Sequence, residues 1–197
     1  VAHKSSSVTK SFHVAVDNKQ PSVWKGDPGQ TGGNAFYIDG IPHPELRLKA
    51  GTYRFYQKHI SNKQAGGQYH PISFYTAEDK SGDIDAAKIR YFREDDDLAT
   101  PGDQIHEFTG VSKRTDYINA IDAEGLNDFS PKKYYVELTV DDTLPANFWY
   151  QCTAHGYMGM RIINEAAPSG GGGANAINDL TDVNNGGVQN GDSLIWD

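Results

Sequence analysis

Apolar and polar positions alternate along this chain in short bursts, most of them bounded by Gly, Pro, Asn or Asp. Phe12, Val14 and Val16 share one phase of residues 11–16, which predicts a first strand. Residues 35–38 make a second, closed by the turn dipeptide Asp39-Gly40, and residues 45–48 alternate again through Leu46 and Leu48. Residues 52–56, 72–75 and 134–140 are rich in β-branched and aromatic side chains, the last being the clearest strand in the sequence. Phe148, Trp149 and Tyr150 predict a further strand, and Ile162 with Ile163 another. One helix is expected over residues 115–126, with Thr115 or Asp116 as N-cap and Gly125 near its end. Residues 76–131 as a whole read as an irregular, partly helical insertion.

Composition agrees with short strands and many turns: 21 glycines, 11 tyrosines and abundant Asn and Asp in 197 residues. That length suits one good core with an appendage. Eighteen Lys and Arg against 26 Asp and Glu give a net charge of −8, and no basic cluster stands out, which argues against a nucleic-acid partner. No apolar run reaches membrane-spanning length, so insertion into a membrane is not expected. A single cysteine leaves no internal disulfide. Residues 1–10 are polar and read as an N-terminal arm, residues 11–165 as the main domain, 166–176 as a Gly-rich linker and 177–197 as a tail. The tail is too short for a core of its own, and its abrupt end reads as the interior of a longer chain.

Candidate chemistry concentrates between Phe148 and Asn164. This stretch holds Cys152, His155 three residues later, and both methionines, Met158 and Met160. A soft thiolate, an imidazole and a thioether on one loop are three of the four donors of a blue-copper site, which adds a second histidine. His70, followed by Pro71 at the start of a predicted strand, is the best candidate for that histidine, since Pro favours a strand edge or end. Either methionine can serve as the axial donor, but only one can sit over the ion. Structural zinc would ask for a four-ligand Cys/His set that one cysteine does not readily provide.

Other readings of these residues are weaker. Cys152 with His155 as base would make a nucleophile, but residues three apart across a tight turn seldom supply the base and orienting group a hydrolase needs, so no enzyme is expected. The acidic run Glu94 to Asp97 lacks the spacing of a calcium loop and reads as a solvated turn. His13, His43, His59 and His106 read as ordinary histidines.

Tyr150 to His155 followed by Met158-Gly159-Met160 resembles the copper loop of the cupredoxins, particularly the plastocyanin, pseudoazurin and amicyanin group. The resemblance implies His70, Cys152, His155 and a methionine as ligands to copper. The choice would be Met158 in an amicyanin-like loop and Met160 in a plastocyanin-like or pseudoazurin-like one. Residues 33–40, 46–48, 51–55 and 61–62, with His70-Pro71-Ile72, are similar to cupredoxin-like domains of marine bacteriophage structural proteins, cyanophages especially. Their Cys-x2-His-x2-Met pattern favours Met158. Residues 178–184 and 191–196 resemble a segment that recurs in phage tail and fibre proteins. The resemblance implies an all-β, Greek-key β-sandwich of cupredoxin type, with about seven to nine strands. It also implies a virion structural protein, as fibre, tail or capsid decoration, that self-associates, docks on other virion proteins and contacts a host surface. A soluble blue-copper electron carrier is the alternative.

Overall fold

In the computed structural model, residues 7–64, 68–95, 105–123 and 132–167 are described. In chain order the strands are β1 (Val8–Asn18), β2 (Asn34–Ile38), β3 (Ile41–Pro42), β4 (Leu46–Leu48), β5 (Gly51–Tyr56), β6 (Lys63–Gln64), β7 (Gln68–Tyr69) and β8 (Ile72–Tyr75). There follow β9 (Ile89–Asp95), β10 (Ile105–Phe108), the helix α1 (Lys113–Ala123), β11 (Lys132–Val140), β12 (Asn147–Cys152) and β13 (Arg161–Asn164). Two mixed sheets result: a seven-stranded one ordered β10-β9-β11-β5-β1-β2-β3 and a four-stranded one ordered β4-β13-β12-β8. Strand β1 runs parallel to β5 and β13 parallel to β4, while β6 and β7 form a short separate ladder. The architecture is an all-β sandwich carrying one helix.

The two-residue period explains which faces meet. Phe12, Val14 and Val16 all point inward from β1, as do Tyr53 and Phe55 from β5 and Phe148, Tyr150 and Cys152 from β12. Phe55 of the large sheet meets Phe74 of the small one edge to face at 5.1 Å, and Phe36 lies 6.4 Å from Tyr150. Burying each such ring stabilises the sandwich by about 1.5–3 kcal/mol. Between β2 and β3, Asp39 and Gly40 take φ values of 51° and 79°, the left-handed pair of a tight hairpin that this dipeptide favours.

Several expectations are corrected. The first strand starts at Val8, inside the expected arm, and eleven strands occupy the two large sheets, not seven to nine. Within the expected irregular insertion, residues 89–95 and 105–108 instead form β9 and β10 of the large sheet. Strand β9 pairs with β11 from Lys132↔Asp95 to Leu138↔Ile89. Its alternation was obscured because Phe92 is buried on the face opposite Tyr91, under the Arg90 guanidinium 4.7 Å from its ring centre. Glu94 and Asp95, the first half of the acidic run, therefore end a strand instead of forming a turn, and Asp96 and Asp97 lie outside the described residues.

Helix α1 begins two residues before Thr115. The Ser112 carbonyl accepts the first helical bond from Asp116 N–H at 2.9 Å, so neither Thr115 nor Asp116 is the cap. Gly125 lies outside the described residues. Tyr117 and Ile121, one turn apart and fully buried, dock the helix on Tyr91, Phe108 and Tyr134. The Gly-rich linker from residue 168 and the tail 177–197 also fall outside the described residues.

Candidate metal centre

Strand register brings the site together. Strands β8 and β12 are antiparallel with Cys152 opposite Ile72, so His70, two residues before Ile72, comes up beside the cysteine. Beyond the last paired residue, Thr153 N–H donates to the Pro71 carbonyl at 2.8 Å and keeps the two chain ends together. The chain then turns back on itself, His155 N–H donating to Cys152 Sγ at 3.4 Å, and Tyr157 follows in the left-handed region at φ 56°. Strand β8 is the edge of its sheet, as Pro71 suggested.

Cys152 Sγ lies 3.8 Å from His70 Nδ1 and 3.6 Å from His155 Nδ1, and the three donor atoms all fall within 4.8 Å of one another. The two rings are 4.8 Å apart, centre to centre. First-row metal bonds to nitrogen and sulfur of about 2.0–2.3 Å put neighbouring donors of a three-coordinate ion roughly 3.5–4 Å apart. The sulfur-to-nitrogen distances already match, and a donor set of two imidazole nitrogens and one thiolate sulfur suits a soft transition metal. The three residues could hold a metal ion. This is the one group of three or more His, Cys, Asp or Glu side chains among the described residues that could hold a metal.

Of the two methionines, Met158 is the one that shares a cleft wall with His70 and His155. It lines, with His70, His155, Gly156, Lys19 and Asn34, a cleft of about 140 Å³. Both methionines are buried, but Met160 is not part of that cleft wall; its carbonyl accepts from Tyr150 N–H at 3.2 Å across the strand pair. Met158 is fixed by its own backbone: its N–H and that of Gly159 both donate to Gln151 Oε1 at 2.9 Å, and its carbonyl accepts from Phe36 N–H at 2.7 Å.

Burial tunes the donors. The Cys152 thiol is pushed up to about 11 by desolvation, opposed by the backbone N–H groups of His155 and Ala154 and by the Lys80 charge. His70 is pushed down to about 4, chiefly by burial and secondarily by His155. At neutral pH the metal-free site therefore holds a thiol and a neutral His70, and an incoming ion must displace the thiol proton. With His70 Nδ1 facing the thiol, its Nε2 is left buried with no hydrogen-bond partner among the described residues.

Sequence reading missed the supports of this site. Gln57 Nε2 donates to the His70 carbonyl at 2.6 Å and to Asn62 Oδ1 at 2.8 Å, while its Oε1 accepts from Ile72 N–H and the Tyr117 hydroxyl. Asn62 in turn accepts His70 N–H on its carbonyl at 2.9 Å. A signal was present: Gln57 continues the inward phase of Tyr53 and Phe55, where an amide is out of place without a task. Lys80, which donates to the ligand loop, gave no signal in sequence. Among the described histidines, His13, His43, His59 and His106 all lie outside the metal group.

No protein-family model matches the chain, and no curated protein matches it.

Proposed function

We propose that this chain is a cupredoxin-like, Greek-key module that holds one copper ion through His70, Cys152, His155 and an axial Met158, within a phage virion structural protein. The convergence of Cys152 Sγ with two imidazole Nδ1 atoms at 3.6 and 3.8 Å carries the copper reading. Bound copper would supply one-electron exchange. The chain's own residues fix the two rings, exclude water from the sulfur and hold the thioether beside the imidazoles. The virion role rests on the resemblance of residues 33–72 and of the tail to phage structural proteins; in it the sandwich is a rigid display module with other virion proteins, or further copies of itself, as partners. Among the described residues no helix is long and apolar enough to cross a membrane.

A second reading, a soluble electron carrier, is favoured by one observation. His155 is half-exposed between the exposed Ala154 and Gly156, so one ligand reaches the surface where a redox partner could dock.

Absorption of the purified protein with one equivalent of Cu(II), beside Cys152→Ser, tests the copper reading. An intense visible thiolate-to-copper band that the variant loses is expected, and no band from folded protein with a free thiol overturns the reading. Antibodies against the domain should decorate intact particles if it is a virion component; unlabelled particles would leave the electron carrier.

A further inference from the structure

We propose that Lys80 is a built-in cation that sets the charge preference of the metal centre, favouring a soft monovalent ion over a divalent one. The inference rests on the copper reading above and names the ionic form the site is made for.

The Lys80 ammonium donates to three carbonyl oxygens: those of Cys152 at 3.2 Å, Thr153 at 3.3 Å and His155 at 3.2 Å. An ammonium has three N–H donors, so its capacity is used up on the ligand loop. Two of the three carbonyls belong to the ligand residues themselves. No carboxylate pairs with Lys80 among the described residues, so its charge is answered by the carbonyl dipoles of the loop.

A closed loop holds the lysine in this position. Lys80 follows β8 with φ 66°, a left-handed backbone that a side chain of this size adopts at a cost. The loop is closed by Thr76 N–H to the Gly82 carbonyl at 2.7 Å and by Lys80 N–H to the Ala77 carbonyl at 3.1 Å. At Gly82 an added Cβ would lie 2.2 Å from Thr76 Oγ1, so a side chain there would force that hydroxyl to turn away. Asp83 bridges to Tyr75 through the backbone, and its carboxylate takes both Arg114 nitrogens at 2.6 and 3.0 Å, which ties the loop to α1.

Charge counting gives the consequence. One thiolate, two neutral imidazoles and a thioether sum to −1, so a monovalent ion makes a neutral centre and a divalent ion a cationic one. Cys152 and His70 are buried although Lys80 and His155 are only half-buried, so a second positive charge beside the held ammonium is repelled more strongly than in bulk water. Lys80 therefore biases the site toward Cu(I), and its removal should raise relative affinity for divalent ions.

The test compares the full chain with Lys80→Met and Lys80→Arg, measuring Cu(I) and Cu(II) affinities by chelator competition and, without metal, amide exchange across residues 152–157. Lys80→Met should lower the Cu(I):Cu(II) affinity ratio on the order of tenfold, and Lys80→Arg, which keeps the charge, should retain most of it. Loop amides should exchange faster in Lys80→Met. Should Lys80→Met not fold, Lys80→Gln is the second neutral variant. A wild-type protein that binds both ions, with a ratio unchanged in the neutral variant, overturns the role of Lys80 while leaving the metal centre standing. A wild-type protein that binds neither ion overturns both, whatever the exchange data show.

Discussion

Gln57 holds His70 by its main chain: the amide donates to the His70 carbonyl at 2.6 Å while its oxygen accepts Ile72 N–H at 2.9 Å, two residues on. The histidine is thereby gripped on both sides of Pro71, which has no N–H of its own to give. Gln57→Leu leaves the His70 carbonyl, Ile72 N–H, Asn62 and the Tyr117 hydroxyl without their partner. A loss of about 2–4 kcal/mol is expected in denaturant titrations. Copper affinity should fall by about 10- to 100-fold, the usual effect of removing a group that orients a ligand. Unchanged affinity in a destabilised variant would reduce Gln57 to a packing residue.

Met158 and Met160 separate cleanly by substitution. Leucine conserves volume, so either replacement should change stability by less than about 1.5 kcal/mol. Only Met158→Leu removes a thioether from the cleft that His70 and His155 share. Its Cu(II) absorption should shift in energy and relative band intensity, whereas Met160→Leu should keep the wild-type spectrum. The reverse pattern would move the axial role to Met160.

The candidate ligands were legible because their chemistry is rare: the only cysteine and both methionines lie within nine residues. The inward phase of Phe12, Val14 and Val16 was legible for the opposite reason, as the commonest pattern a half-buried strand can show. Strand β9 was not, since both its faces are covered and arginine stems supply part of the cover. Asn62 and Lys80 act through backbone carbonyls and N–H groups brought near by the fold, and such partnerships leave no spacing in the sequence; Gln57 shows there only as an amide in an inward phase. Tyr117 is similar: it reaches Gln57 from a helix 60 residues away in the chain.

Acid should destabilise the metal-free protein in a window set by His70. Burial depresses its value to about 4 in the folded state, against 6.5 for the free side chain. Between those values the unfolded chain binds a proton that the folded one does not, so stability rises with pH. The contribution is complete above about pH 6.5 and is lost as pH falls toward 4, by on the order of 3 kcal/mol. The Asp141 carboxyl, held down to about 2 by Lys88 and Thr143, acts below this window. Denaturant midpoints at pH 7 and pH 4.5 measure the effect, and in His70→Gln the slope between them should flatten.

Glycines on the two sides of Met158 have opposite constraints. Around Gly156 nothing lies within 4 Å of an added Cβ, and the chain there is exposed. At Gly159 the same atom would fall 1.5 Å from the Tyr150 carbonyl oxygen, a backbone atom that cannot swing aside. The close approach is what lets Gly159 N–H and Met158 N–H share Gln151 Oε1 and so fixes the thioether's root. Gly156→Ala should therefore change stability by no more than about 0.5 kcal/mol and leave the copper spectrum intact. Gly159→Ala must push the loop off β12; a loss above about 3 kcal/mol is expected, with a weakened or altered copper band in whatever folds. Equal tolerance at both positions would mean that the Met158 loop is not held by this contact, and that the axial donor reaches the ion from a backbone free to adjust.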